Sequence, residues 1–306
     1  MDLGYSHTIH SPIPTKLSSD EMSAYVLALL SALAFALGTV LQQRGTLQTS
    51  AAEGDPRFLA EIIRKPVWLL GGLLQVCGWV LQAVALARGS FVLVQALCSL
   101  SLVFALPLGV RLTDQRVSRR SIVGAFTTLI GIIVFVTFGQ PQSGASQPEA
   151  TAWLTSGLII AALMLLLAGL ARRRRGAVSA ALFASSAGFG FAFQAAVTKV
   201  FVTQLGYGLG AILSSWTTYA LILSALAGFA LQQSALKTGF LAPAMAAVNA
   251  ATLGMSVLLG VTLFQESISR GQGRLLPAII GLTLAIIGVI MLAYPEPKSL
   301  EVATDT

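Results

Sequence analysis

Charge is scarce in this chain. Charged residues make up 10% of its 306 positions, against roughly 25% in a soluble domain. That shortage excludes a soluble globule. Histidine is scarcer still: His7 and His10 both lie in the first 21 residues, away from every apolar run. Carboxylates avoid the middle of the apolar runs. Asp114 and Glu266 stand at run ends and Glu149 lies in a polar stretch. A His or carboxylate relay through a membrane therefore lacks its usual parts. No metal-ligand spacing and no phosphate-cradling glycine loop stands out. These shortages argue against an enzyme, call for no cofactor, and leave an ATP-driven pump without a nucleotide domain. The two cysteines, Cys77 and Cys98, both fall in apolar runs. They imply no disulfide framework and read as small hydrophobes.

What the chain has instead is apolar length. Hydrophobic residues reach 55%, and mean hydropathy is +0.80. Runs near the ~20 residues needed to cross a bilayer occur at 22–41, 66–87, 90–112, 121–138, 152–170, 177–200, 212–235, 241–264 and 275–294. The expected fold is an all-α polytopic membrane protein of about nine transmembrane helices. Only 42–65 and 139–151 are long breaks. The second, with Pro141, Gly144 and Pro148, has the composition of a turn region and reads as the linker between halves.

The formal charge of +7 invites a nucleic-acid partner, but its distribution does not. Sorted by side of the spans, Lys and Arg divide 14 to 5. The poorer side holds Lys16, Arg88, Lys199, Arg270 and Arg274. The richer side holds Arg44, Arg57, Arg64 and Lys65, then Arg111, Arg116, Arg119 and Arg120, then Arg172–Arg175, Lys237 and Lys298. This is the positive-inside bias. It places the N-terminus outside and the C-terminus in the cytoplasm of a multi-pass cell-membrane protein, with anionic headgroups as a secondary contact. The first 21 residues lack the basic region of a secretory signal, and either Met1 or Met22 could be the start.

The first half of the chain returns, degraded, in the second. Ala85-Leu86-x-x-Gly89 matches Ala235-Leu236-x-x-Gly239. Val110-x-Leu112 with Val117-Ser118-Arg119 matches Val261-x-Leu263 with Ile268-Ser269-Arg270. Gly124 and Gly131 match Gly281 and Gly288. Spans 1 to 4 then pair with spans 6 to 9. The odd offset of five spans inverts the second copy across the membrane, with span 5 as the connector. The expected organisation is a tail at 1–21, a first repeat at 22–138, a linker and connecting helix at 139–176, a second repeat at 177–294, and a tail at 295–306. Inverted repeats of spans are the mark of secondary transporters, with the site at the repeat interface. A non-transporting membrane scaffold or partner subunit is the alternative from another class.

Candidate binding residues follow from polarity inside apolar spans. Lys199, near the end of span 6, is a functional candidate or a snorkelling anchor. Arg44 is its repeat mate at the end of span 1. On span 8, Asn249, Thr252 and Ser256 share one helix face. Gln95 and Ser99 share a face of span 3. Gln75 on span 2, Gln194 on span 6 and Trp216 on span 7 add polar and aromatic groups. Together they outline a central solute cavity, or else hydrogen bonds between helices. Pro107 and Pro243 can bend spans 3 and 8. Trp68, Trp153 and Tyr294 stand at span ends and read as interfacial anchors.

Several motifs resemble the drug/metabolite transporter superfamily. Val261-Thr-Leu-Phe-Gln-Glu266-Ser-Ile-Ser, before a Gly-rich span, stands where that superfamily carries a Leu-Gly-Glu-type turn. Val110-Arg-Leu-Thr-Asp114-Gln-Arg-Val-Ser is similar to it. Leu41-Gln-Gln-Arg44-Gly45, Arg64-Lys65-Pro66-Val67-Trp68 and Val197-Thr198-Lys199 resemble segments of the NIPA-type branch. The resemblance spans roughly 22–294 and implies a 4+1+4 arrangement of spans. It makes magnesium the alternative substrate. The residues themselves, with a lysine and no mid-span carboxylate, suit a neutral or anionic small solute better than a hard cation. The expected partners are that small solute or ion, the bilayer and a possible second copy, with no nucleic acid.

Overall fold

The computed structural model describes residues 19–47, 64–113, 119–145, 147–236, 238, 241–268 and 273–293. Outside them lie both tails with His7, His10, Lys16 and Lys298. So do Arg57, Asp114, Arg116, Lys237, Gly239, Arg270 and Tyr294.

The described residues are almost wholly helical. We number the helices α1 (Ser19–Leu47), α2 (Pro66–Arg88), α3 (Phe91–Cys98), α4 (Ser101–Thr113), α5 (Arg119–Gly139), α6 (Ala150–Arg172), α7 (Gly176–Gln204), α8 (Leu209–Ser214), α9 (Trp216–Leu236), α10 (Leu241–Thr262) and α11 (Leu275–Ala293). Seven stretches among the described residues are long and apolar enough to cross a membrane, counting α3 and α4 as one. The seventh and ninth apolar runs correspond to shorter apolar stretches, Trp216–Gln232 and Leu275–Met291. Helix is the expected state because a backbone in hydrocarbon must satisfy its own polar groups.

The termini follow local chemistry. Pro66 opens α2 at a position where no N–H is needed. Ser90 caps α3, its Oγ accepting from the Leu93 N–H at 3.2 Å. The third apolar run is not one continuous helix. It breaks at Ser99–Leu100, where the Leu100 N–H turns back to the Leu97 carbonyl at 3.0 Å.

Helix α1 packs on α2 and on the α3–α4 pair, α7 packs on α9 and α10, and α5 packs on α11. The α5–α11 contact depends on glycine. A Cβ on Gly281 would sit 2.8 Å from the Gly131 carbonyl oxygen, and one on Gly288 would sit 2.7 Å from that of Gly124. Gly131 thus faces Gly281 while Gly124 faces Gly288, so the two helices run antiparallel. Bare backbones at both points let the helices approach closely enough for dispersion to hold them in lipid.

Outward faces are apolar. Leu165 is 75% exposed and Leu223 70%. Such surfaces suit hydrocarbon, not water. Phe91, Phe135, Phe264, Leu253 and Leu263 fill the interior.

In the turn region, Gln140, Gln142 and Ala145 are tied down. The Gln142 N–H donates to the Ser267 carbonyl at 3.1 Å, and the Ala145 N–H to the Phe264 carbonyl at 2.6 Å. Arg274 Nη1 donates to Gln140 Oε1 at 3.0 Å. The presumed linker therefore clamps the turn that follows α10.

Candidate functional site

That clamped turn carries Glu266, which the sequence placed at a span end. The backbone reverses after α10 with Gln265 at φ 53°, and the Glu266 N–H returns to the Gly260 carbonyl at 2.8 Å. This directs the carboxylate inward, where Glu266 is only 3% exposed. It lands on the start of α3, whose first N–H groups have no helical partners. Glu266 Oε2 accepts from Ser90 Oγ at 2.7 Å and from the Val92 N–H at 2.8 Å. Oε1 accepts from the Phe91 N–H.

Lys199 completes the set. Its Nζ lies 3.1 Å from Glu266 Oε1 and donates to the Gly89 carbonyl at 2.9 Å. It also sits 5.2 Å from the centre of the Phe264 ring, a cation–π distance. A buried charge is tolerated only when paired and hydrogen-bonded. Both charges meet that condition, and the positive end of α3 adds to it. The knot joins α7 and the turn after α10 to the α2–α3 junction.

Aromatic rings cover it. Phe264 lies 5.2 Å from Phe91 and 6.0 Å from Trp153. Trp153 also meets Phe193 at 5.9 Å and Trp216 at 5.1 Å. At 7% exposure, Trp153 is a core residue and not the interfacial anchor its span-end position suggested.

The remaining sequence candidates separate into three groups. Some serve helix contacts. Gln75 Nε2 donates to Thr39 Oγ1 at 3.0 Å, joining α2 to α1. Thr252 Oγ1 donates to its own helix at Val248 and to the Gly188 carbonyl of α7 at 3.3 Å. Others bond within their own helix. Asn249 Nδ2 donates to the Met245 carbonyl at 2.8 Å, and Ser99 Oγ to that of Ala96 at 2.6 Å. Gln194 is half-buried, and its backbone carbonyl accepts from Thr198 Oγ1. Trp216 is 48% exposed and lies beside Trp153.

The third group is the informative one. Gln95 is 5% exposed and Ser256 is fully buried. Gln95 Nε2 and Ser256 Oγ are the buried side-chain polar atoms without a hydrogen-bond partner among the described residues. They belong to α3 and α10, which pack together. Val92 presses on Gly260, leaving no room there for a Cβ. Gln95 is one turn along α3 from Val92, and Ser256 is one turn back along α10 from Gly260. Each residue thus lies one helical turn from the Val92–Gly260 contact, one on each helix. An unpaired buried polar group costs about 1–3 kcal/mol, so two of them flanking one helix contact are candidates for a functional role.

Sequence reasoning missed Glu266. The available signal was Lys199 itself: a buried ammonium needs a carboxylate, and Glu266 is the one acidic residue between 177 and 294. Among the described residues no group of three or more His, Cys, Asp or Glu could hold a metal ion.

No protein-family model matches the chain, and no solved structure matches it. Over 283 residues it is 30% identical to "Uncharacterized protein Cgl0250/cg0304" of Corynebacterium glutamicum, covering 89% of this chain and 95% of that one. A helical membrane architecture with a buried Lys–Glu knot thus accompanies an alignment over nearly the whole of both chains, and the chain belongs to the family of that corynebacterial protein.

Proposed function

We propose that this protein is a secondary transporter of small neutral solutes in the cytoplasmic membrane. In this reading it alternates access between two inverted halves, in the manner of the drug/metabolite transporter superfamily. The observation that carries the reading is a pair of buried polar atoms on the packed helices α3 and α10. Gln95 Nε2 and Ser256 Oγ have no hydrogen-bond partner among the described residues, and the same α3 begins at the Lys199–Glu266 pair. A helical bundle that only had to stand in lipid gains nothing from two buried, unpaired hydrogen-bonding groups. A solute passing between the halves can complete both, the amide N–H donating to a carbonyl or hydroxyl oxygen.

The glycine crossing supports the inverted arrangement. Gly124 and Gly131 match Gly281 and Gly288 in sequence, and they meet reciprocally, first with last. Reciprocal contact of matching positions is the behaviour of a two-fold interface. The charge bias supports an external N-terminus. Lys199 is committed to Glu266 and drops out of the five cations on the poorer side, leaving four against 14.

The ion pair also bears on substrate charge. Glu266 is already compensated by Lys199 and by the N–H groups of α3, so it offers a divalent cation little attraction. A neutral solute fits this interior better than magnesium.

The test is transport by purified protein in proteoliposomes. Radiolabelled polyols, amides and zwitterionic amino acids are offered outside, and a magnesium indicator is entrapped in parallel vesicles. Protein-dependent uptake of a neutral solute, lost in Gln95→Leu, is expected. Magnesium flux with every neutral solute silent would overturn the substrate assignment. No flux of any probe by demonstrably folded protein would favour the scaffold.

A further inference from the structure

Helices α4 and α5 diverge around an apolar groove of about 370 Å³. Val103, Pro107 and Val110 line it from α4, and Ile122, Phe126 and Leu129 from α5. The α4 residues follow helical spacing along two turns, about 10 Å. Pro107 has no N–H to continue the helical ladder and presents a flat ring to the groove. The groove opens outward: Val110 is 42% exposed, Ile122 46% and Phe126 61%. Its lining is wholly apolar, so in the membrane it faces hydrocarbon.

Charge marks one end of it. Arg111 follows the lining residue Val110 and lies four residues after Pro107 on α4. Arg119 lies three residues before the lining residue Ile122 on α5. Both are exposed. Two arginines thus stand at the ends of α4 and α5 beside the apolar lining, at the end that the charge bias assigns to the cytoplasmic side. Arginine binds phosphate oxygens in pairs, and the cytoplasmic leaflet carries anionic lipid.

We propose that this groove is a binding site for an anionic phospholipid, with an acyl chain between α4 and α5 and the phosphate on Arg111 and Arg119. The chemistry requires both parts. The groove alone would take any acyl chain, and the arginines alone would attract any anionic surface. A second copy of the chain fits less well, since Ala125 is the one small residue in the lining and the lining offers no polar group for an interhelical bond.

The test is native mass spectrometry of the full chain after equilibration with vesicles of equimolar phosphatidylglycerol and phosphatidylcholine of identical acyl chains. Wild-type protein should retain phosphatidylglycerol roughly ten- to thirtyfold over phosphatidylcholine, from about 1 kcal/mol for each arginine. Arg111→Gln/Arg119→Gln should remove the preference, and Arg111→Lys/Arg119→Lys should retain most of it. Arg174→Gln, at an exposed position of the basic run after α6, should leave it intact. Ala125→Trp, which fills the groove, should lower retention of both lipids. The proposal is overturned if wild type shows no preference, if the glutamine pair keeps it, or if Arg174→Gln abolishes it as completely.

Discussion

Lys199 and Glu266 are 67 residues apart in the chain, yet the ammonium and carboxylate meet at 3.1 Å in the interior. Neither is placed there by its own helix alone. Lys199 comes from the last third of α7, and Glu266 from a turn held by the 139–149 segment. Together they fasten the second half of the chain to the α2–α3 junction of the first.

Removing one partner leaves the other charge buried. Lys199→Met should lower stability by about 3–5 kcal/mol, seen as a large fall in the midpoint of thermal unfolding in detergent. Lys199→Met/Glu266→Gln removes both charges and should recover much of that loss. Equal stability of the single and double variants would mean that Glu266, left without Lys199, carries no burial penalty.

Ser90 supports the same knot with a neutral hydroxyl. It caps α3 and donates to Glu266 Oε2. Ser90→Ala should cost about 1 kcal/mol, and Ser90→Thr should retain most of that. An unfolding midpoint unmoved in Ser90→Ala would discount the capping geometry.

The antiparallel glycine contact predicts a position-specific steric penalty. Gly131→Val and Gly281→Val would each drive side-chain atoms into the opposing backbone and should cost about 1–3 kcal/mol or more. A Cβ on Gly169 of α6 meets nothing within 4 Å, so Gly169→Val should be close to neutral. Thermal unfolding of the three variants, compared side by side, checks the contact. Comparable losses at all three sites would point to helix propensity as the cause.

Gln95 and Ser256 separate a structural role from a transport role. If each serves only packing, replacing an unpaired polar group with an apolar one leaves stability unchanged or raises it. Gln95→Leu and Ser256→Ala should do this and also raise KM or abolish flux in proteoliposomes. Transport kinetics indistinguishable from wild type in both variants would remove these residues from the solute path.

Thr252 is expected to matter less. Its bond to the Gly188 carbonyl of α7 is long, at 3.3 Å, and is shared with its own helix. Thr252→Val should cost about 0.6 kcal/mol, the average of such interhelical bonds. A loss several times larger in thermal unfolding would show that the contact is stronger than its geometry implies.

Much of the architecture was legible in the chain, because it depends on local properties. Apolar run length fixes where helices cross lipid, and each of the nine runs corresponds to helical structure. The charge that separates them carries the orientation signal. The spacing of Gly124, Gly131, Gly281 and Gly288 was visible too, although not that these residues would meet. The break at Ser99–Leu100 was hidden, since nothing in Cys98-Ser-Leu-Ser101 disfavours a helix strongly.

What the chain alone determined was its class: too little charge for water and enough apolar length for repeated membrane crossing. What only the tertiary structure decided was which polar groups are satisfied. In a membrane protein the lipid face and the core face of a helix are both apolar, so periodicity does not reveal which side turns inward. Glu266 became central because a clamped turn aimed it at the open end of α3. Lys199 ceased to be a free cation because that carboxylate reached it. Trp153 moved from supposed surface anchor to core because Phe193, Trp216 and Phe264 converge on it. Gln95 and Ser256 stand out for the opposite reason: both are buried, and Gln95 Nε2 and Ser256 Oγ find no partner among the described residues. Burial and pairing depend on neighbours far away in the chain, and those neighbours exist only once the helices have packed.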